Sequence, residues 1–238
     1  MKICVYSIAK NEEKHVKRWF DSAQDADYIV LGDTGSTDDT VKISEDLGIT
    51  TFSLKTNPFH FANAKNQLLS LCPKADVYVC LDVDEVLLPG WRSIIESHFP
   101  FDLLMVNFTR PNKELKRISR IHTNRFEWKG CIHEFLDVIC DSAKVVSTNQ
   151  ILFDHYPDLN KDRSNYFDLL EHSVYNENYK QSRAFNLYQY GQMLKNKQEY
   201  GKALVILQAA MDECRNNAPG NIPIIENLIQ SLKNEYSK

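Results

Sequence analysis

Val77-Tyr78-Val79-Cys80-Leu81-Asp82-Val83-Asp84-Glu85 is a run of five apolar residues that delivers three carboxylates. The run has the length of a buried strand, expected over 77–81. Open α/β sheets bind their ligands at the carboxyl ends of such strands. If the backbone stays extended through Asp84, side-chain alternation puts Asp82 and Asp84 on one side. Two neighbouring carboxylates repel, and a bound cation relieves that cost. Oxygen donors with room left for phosphate suit Mg²⁺ or Mn²⁺. The string is short, and an acidic, solvated strand-to-loop turn would also produce it.

Working outward, the residues before it alternate strand and helix patterns. Ile3 to Ala9 reads as a strand. Val16, Trp19 and Phe20 fall at helical spacing, with Asn11 as the expected N-cap. Tyr28 to Leu31 is a second strand, ending at Gly32-Asp33. A helix containing Val41, Ile43 and Leu47 follows, capped by Ser36 or Thr37 and closed by Gly48. Thr50 to Leu54 is a third strand, and Ala62 to Leu71 a helix stopped before Pro73. This order predicts an α/β fold with a largely parallel sheet and helices on both faces. Beyond residue 100, the apolar runs 103–108, 135–139 and 151–153 follow one another without regular helices, which suggests an antiparallel addition.

From Lys161 the pattern is helical. Leu187, Tyr190, Gly191, Leu194, Tyr200, Ala203, Leu207 and Ala210 match the spacing of one tetratricopeptide unit, apart from the late Pro219. A single unit cannot bury its own face. It must pack on the first domain, on helices around Phe167 and Ile225, or on another subunit, which would make the chain a homo-oligomer. The expected domains are residues 1–160, α/β, and 161–238, a helical extension.

Several segments carry polar groups where ligands would sit. Ser7 to Glu13 ends the first strand with Ala9, Lys10, Asn11 and Glu12, suited either to capping or to a nucleoside. Asp33 ends the second strand, where a base or ribose could donate to it, while Ser36 to Asp39 are explained as a helix cap. Lys65, in Phe61-Ala62-Asn63-Ala64-Lys65-Asn66, reads locally as a surface lysine. Arg125-Phe126-Glu127-Trp128-Lys129-Gly130-Cys131-Ile132-His133-Glu134 sets ionisable groups beside aromatic rings, as sugar sites do. Glu134 is a candidate general base there; the plain alternative is a strand pair with Phe126 and Trp128 in the core. His155 follows an apolar strand, as a structural histidine or a metal ligand.

The bulk numbers exclude other classes. With 238 residues, 43% hydrophobic, 25% charged and a net charge of -4, the chain lacks the basic footprint of a nucleic-acid binder. Its longest apolar runs fall short of the roughly 18–20 residues needed to cross a bilayer. Lys10, Glu12 and Glu13 interrupt the first strand's exit, unlike a secretory leader, so a cytoplasmic location is expected. None of the six cysteines forms a CxxC pair, which argues against a zinc site and for reduced, structural thiols.

In order and spacing, Lys10-Asn11-Glu12-Glu13, Asp33-Thr34-Gly35-Ser36-Thr37-Asp38, Ala64-Lys65-Asn66, Asp82-Val83-Asp84-Glu85, Ile132-His133-Glu134 and His155 resemble glycosyltransferase family 2, with the GT-A fold. The specific likeness is to a bacterial and phage branch with a tetratricopeptide-like tail, similar to enzymes of lipopolysaccharide-core and surface-glycan assembly. The resemblance implies a UDP-sugar donor held by Ala9, Asn11, Glu12, Asp33, Lys65, Asp82 and Val83. It implies Mn²⁺ or Mg²⁺ on Asp84 and His155, and Glu134 as the base of an inverting hexosyl transfer to a glycan or glycoconjugate hydroxyl. Two departures stand out. Lys65 replaces an arginine frequent in the family, losing a planar fork, and Tyr156-Pro157 replaces the usual Gly-containing turn after the histidine. The rival readings are a nucleotidyltransferase, a retaining transferase on the same fold and a non-catalytic glycan- or protein-binding module. Ser7 to Glu13 has no glycine with which to cradle a phosphate, against the first of these.

Overall fold

Alternation along β1 (Ile3–Ala9) organises two hydrophobic cores. Ile3, Val5 and Ala9 face one cluster, and Cys4 and Tyr6 face the other. β4 (Val77–Cys80) splits the same way, Val77 and Val79 against Tyr78 and Cys80. Strands buried on both faces read as unbroken apolar runs, which is why these two were conspicuous in the sequence. The first core collects Val16, Trp19 and Ala23 of α1 (Val16–Ala23) and Trp91 and Ile95 of α4 (Trp91–His98). Ile43 of α2 (Thr40–Asp46) packs against it. The second core collects Ala62, Ala64 and Leu68 of α3 (Phe61–Leu71). The sheet therefore has helices on both faces, as expected.

The computed structural model describes residues 1–110, 112–158, 165–217 and 222–236. The chain divides into two units, Met1–Trp128 with Leu136–Lys161, and Lys129–Phe135 with Asp162–Lys238. The boundary expected at residue 160 and the departure at Pro219 lie outside the described residues.

In the first unit, β2 (Tyr28–Asp33), β3 (Thr50–Ser53), β5 (Glu85–Leu87), β6 (Leu103–Thr109), β7 (Leu115–His122) and β10 (Val145–His155) join β1 and β4. They make an eight-stranded mixed sheet in the order β3-β2-β1-β4-β7-β6-β10-β5. The first four of these are parallel, with Ala9 opposite Asp33. β7 runs antiparallel to both β4 and β6, β10 is parallel to β6, and β5 closes the edge antiparallel to β10. The run at 135–139 lies elsewhere. It forms β9 (Phe135–Val138), paired with β8 (Phe126–Lys129) in a separate two-stranded ribbon.

Two capping expectations fail. α1 begins at Val16, and Asn11 sits well before it with φ +56. α2 begins at Thr40 rather than beside Ser36 or Thr37. The side chains meant for capping are spent on bonds between the two loops, described below.

In the second unit, α5 (Tyr166–Asn176), α6 (Arg183–Asn196), α7 (Tyr200–Asn217) and α8 (Ile222–Tyr236) pack each on the next. Of the residues singled out by their spacing, Leu187, Tyr190, Leu194, Ala203, Leu207 and Ala210 are buried, and Tyr200 is half-buried. Gly191 lets α6 and α7 approach closely, since a Cβ there would lie 2.6 Å from Leu207 Cγ.

Candidate active site

The carboxylate stretch sits at the end of β4, but not in extended form. β4 stops at Cys80, and a turn closed by Glu85 N donating to Asp82 O (2.9 Å) leads into β5. The Asp82 amide in turn donates to Glu85 Oε2 at 3.0 Å. A turn ends the period-two alternation, so Asp82 and Asp84 take separate partners. The Val83 side chain between them packs into the first core, and Trp19 Nε1 donates to Leu81 O at 2.9 Å to fix the strand's exit.

Asp82 is clamped by cations on both oxygens. Lys65 Nζ lies 3.3 Å from Oδ1, and Arg120 Nη1 lies 2.9 Å from Oδ2. Lys65 is no surface lysine: it is 1% exposed, with its ammonium 4.5 Å from the Trp128 ring centre. α3 and β8 are tied by a reciprocal pair, Asn66 Nδ2 donating to Trp128 O (2.9 Å) and Trp128 N donating to Asn66 Oδ1 (2.8 Å). The bland expectation for the aromatics therefore holds, since Phe126 and Trp128 are buried. Trp128 also works for the site as the cation-holding face above Lys65.

Arg120 was not singled out by sequence. It lies on β7, whose register against β4 sets Ile121 beside Val79. From there its Nη1 reaches Glu85 Oε2 as well, at 2.6 Å. Glu85 is 2% exposed, and burial pushes its carboxyl up to about 7 against the opposing pull of Arg120. A buried carboxylate requires such a partner. The available signal was faint: β7 mixes charged and apolar residues, and a register shift that skips Arg120, with Leu104 opposite Ile121 and Met105 opposite Ser119, breaks its alternation.

Asp84 faces a different group. The β5–β10 ladder sets His155 opposite Glu85, and His155 Nε2 lies 3.2 Å from Asp84 Oδ2. That hydrogen bond raises the His155 imidazole above its ordinary value, against the lowering effect of burial. The Tyr156 amide donates to Asp84 O at 2.8 Å, so the Tyr-Pro departure after His155 still returns the chain to the turn. No cluster of three or more His, Cys, Asp or Glu suited to a metal occurs among the described residues. The donors that converge are two, Asp84 and His155. A Mg²⁺-type cation commonly takes one or two protein ligands and fills its shell with water and substrate phosphate oxygens, so the pair fits a cation that arrives with a diphosphate.

On the neighbouring strand ends, Asp33 accepts from the amides of Gly35 (3.1 Å) and Ser36 (3.1 Å). The Asn11 amide donates to Ser36 Oγ (2.9 Å) and its Oδ1 accepts from Thr37 N (2.8 Å). The Glu12 amide donates to Thr40 Oγ1 at 2.7 Å, and the Asp39 amide to Glu13 Oε2 at 3.1 Å. Ala9 packs in the first core while its carbonyl accepts from Thr34 N at 2.9 Å. The turn after Asp33 and the loop after β1 are thus one bonded frame.

The Ile132-His133-Glu134 segment belongs to the second unit. His133 adopts φ +51, Ile132 is buried, and Glu134 is half-buried.

The sequence pattern described as Glycosyl transferase family 2 matches residues 4–155, which is most of the first unit and every polar strand end above. The chain belongs to glycosyltransferase family 2. Among solved structures, this chain is similar to S. aureus TarS, with a TM-score of 0.55 at 12% identity over 95% of this chain and 55% of that one. A structure of S. aureus TarS 1-349 aligns with a TM-score of 0.58 at 13% identity, covering 100% of this chain and 91% of that one. The glucosyl-3-phosphoglycerate synthase from Mycobacterium tuberculosis, in complex with Mn²⁺, uridine diphosphate and glucosyl-3-phosphoglycerate, aligns over 45% of this chain and 44% of that one. Its identity is 22% and its TM-score 0.39. The TarS likeness, at such identities, is one of fold: a mixed GT-A-like α/β sheet followed by helices. The chain spans about half the length of the longer TarS structure. Among the described residues, no helix is long and apolar enough to cross a membrane.

Proposed function

We propose that this glycosyltransferase moves a hexose from a UDP-sugar to a hydroxyl of a glycan or glycoconjugate acceptor, with inversion, as a step in surface-glycan assembly. The observation that carries the reading is the division of labour in the carboxylate turn. Asp82 is neutralised by Lys65 and Arg120, while Asp84 is paired, among the described residues, with an imidazole that can give up its proton.

Asp84 and His155 would hold Mn²⁺ or Mg²⁺ together with the donor's diphosphate. Bound there, the cation supplies Lewis-acid neutralisation of the leaving diphosphate. Asp33, with lone pairs left beyond its two turn amides, and the Asn11-Glu12 loop with Ala9 face the uracil and ribose. Asp82 and Val83 continue that wall, Asp82 receiving the ribose while Lys65 and Arg120 hold its orientation. Glu134 accepts the proton of the acceptor hydroxyl as it attacks from the face opposite the leaving group, the geometry an inverting displacement requires.

Asp84→Ala tests the reading. UDP release from a panel of UDP-hexoses with Mn²⁺ should vanish, while the unfolding midpoint stays near that of the parent. EDTA should have the same effect on the parent. Full activity in the variant, or in EDTA, refutes the assignment.

A further inference from the structure

The loop between β8 and β9 is bonded to α5, to Glu177 just beyond it, and to α6. The Cys131 amide donates to both oxygens of Glu177, at 2.9 and 3.2 Å, and Cys131 Sγ lies 3.2 Å from Leu169 O. His133 is gripped on both ring nitrogens: Nδ1 lies 2.6 Å from Asn186 Oδ1, and Nε2 lies 2.6 Å from the Tyr166 hydroxyl. Asn186 is 1% exposed, and its Nδ2 donates to Ser173 Oγ at 2.8 Å. With the amide nitrogen turned to that hydroxyl, the Asn186 carbonyl oxygen meets His133. His133 Nδ1 must then carry the proton, and Nε2 accepts from Tyr166. Burial lowers the His133 imidazole below its ordinary value, consistent with this neutral tautomer. The rings of Tyr166 and Phe185 meet His133 edge-on, and Phe135 meets Tyr179 in the same way.

This grip has a cost in backbone strain. A non-glycine residue at φ +51 is uncommon, and such a conformation persists where its surroundings over-determine it. Two saturated ring nitrogens, two aromatic edges and a carboxylate-bound amide two residues earlier do so here. The next residue is Glu134.

We propose that Asn186 of α6 and Tyr166 of α5 are positioning residues that act through His133 to fix the backbone of Glu134. The proposal rests on the reading of Glu134 as the base. A proton acceptor must sit within hydrogen-bond reach of the hydroxyl it serves, and a misplacement of about 1 Å can cost on the order of 10²-fold in rate. The helices supply that placement through two hydrogen bonds to one imidazole.

The test uses the full chain and the variants Tyr166→Phe, Asn186→Ala and Glu134→Gln, singly and combined. Tyr166→Phe deletes one hydroxyl and guards against misfolding. UDP release is followed with UDP-glucose, UDP-galactose and their N-acetyl forms, water serving as acceptor, and amide hydrogen exchange is read over residues 131–135. Tyr166→Phe and Asn186→Ala should each lower kcat by about 10- to 100-fold with unchanged affinity for UDP. They should also speed exchange in that segment, and they should add little to the loss in Glu134→Gln, because both act through the same carboxylate. Losses that multiply in the double variants, or unchanged kcat in Tyr166→Phe and Asn186→Ala, overturn the positioning role while leaving the base intact. Unchanged kcat in Glu134→Gln overturns the base reading itself, and the positioning role with it.

Discussion

Lowering the pH should weaken this protein through one core histidine. His122, on β7, is 1% exposed, with Tyr78 stacked on its ring. Its Nδ1 lies 2.8 Å from Thr123 O, so Nδ1 donates, and Nε2 accepts from the Tyr6 hydroxyl at 2.9 Å. Tyr6 receives the Trp128 indole N–H at 2.7 Å in turn. Every polar atom is satisfied with the imidazole neutral, and burial lowers its pKa from 6.5 to about 4. Between those values the unfolded chain takes up a proton that the folded chain refuses. The contribution is therefore fully present above pH 6.5 and is lost as the pH falls through 4. The whole shift corresponds to roughly 3 kcal/mol, about 2 kcal/mol of it lost by pH 5. Urea unfolding of the parent and of His122→Phe, at pH 7.5 and pH 5.0, isolates it. The variant starts about 1–3 kcal/mol weaker because Tyr6 loses its acceptor. Its further loss on acidification should be smaller than the parent's by about 2 kcal/mol. Equal losses in the two proteins would refute the buried neutral histidine. The network continues through Trp128 to Lys65 and Asp82, and because the folded imidazole stays neutral down to about pH 4, it is unchanged at pH 5.

Arg120→Met should destabilise the chain more at pH 8 than at pH 5.5. The Glu85 carboxyl already sits at about 7, so its ionised form is disfavoured in the fold as pH rises above 4.5, and loss of the guanidinium extends that penalty upward. The cost at pH 8 should stay below the roughly 3–5 kcal/mol of a broken buried ion pair, because Glu85 can retain a proton; an equal parent-to-variant loss in urea unfolding at the two pH values would contradict this. Gly191→Ala sets a Cβ 2.6 Å from Leu207 Cγ in a fully buried contact. It should cost about 1–3 kcal/mol despite alanine's better helix propensity, read as a lower thermal midpoint with UDP affinity unchanged. A raised midpoint would mean that α6 and α7 have room to spare.

What the sequence made legible followed burial. β1, β2 and β4 are covered on both faces, so their composition announced them, and strand-end geometry then located Asp33 and Asp82 without further help. The segments that were missed lack such a signature. β7 reads Leu115-Lys116-Arg117-Ile118-Ser119-Arg120-Ile121-His122, and its charges hid both the strand and Arg120. β5 is three residues long and begins at Glu85, the last of the carboxylates, after a turn. Local strings also misjudged Lys65. A lysine in a helix looks solvated until the indole of Trp128, sixty-three positions later, is seen to cover it. Asn11 and Ser36 were read as caps because their side chains bond nearby amides, and they do so, but across loops rather than along a helix.

Those inter-loop bonds bear on the thermodynamics of binding. Asn11 holds a left-handed backbone, and the loops after β1 and β2 are joined through Ser36, Thr37, Thr40 and Glu13 by bonds of the chain itself. A nucleotide docking on this floor has little chain left to freeze, so the ordering entropy that offsets affinity in flexible sites has been spent during folding. Titration calorimetry of UDP alone should then report a small heat-capacity change, set by the surface the nucleotide covers rather than by any folding of the loops.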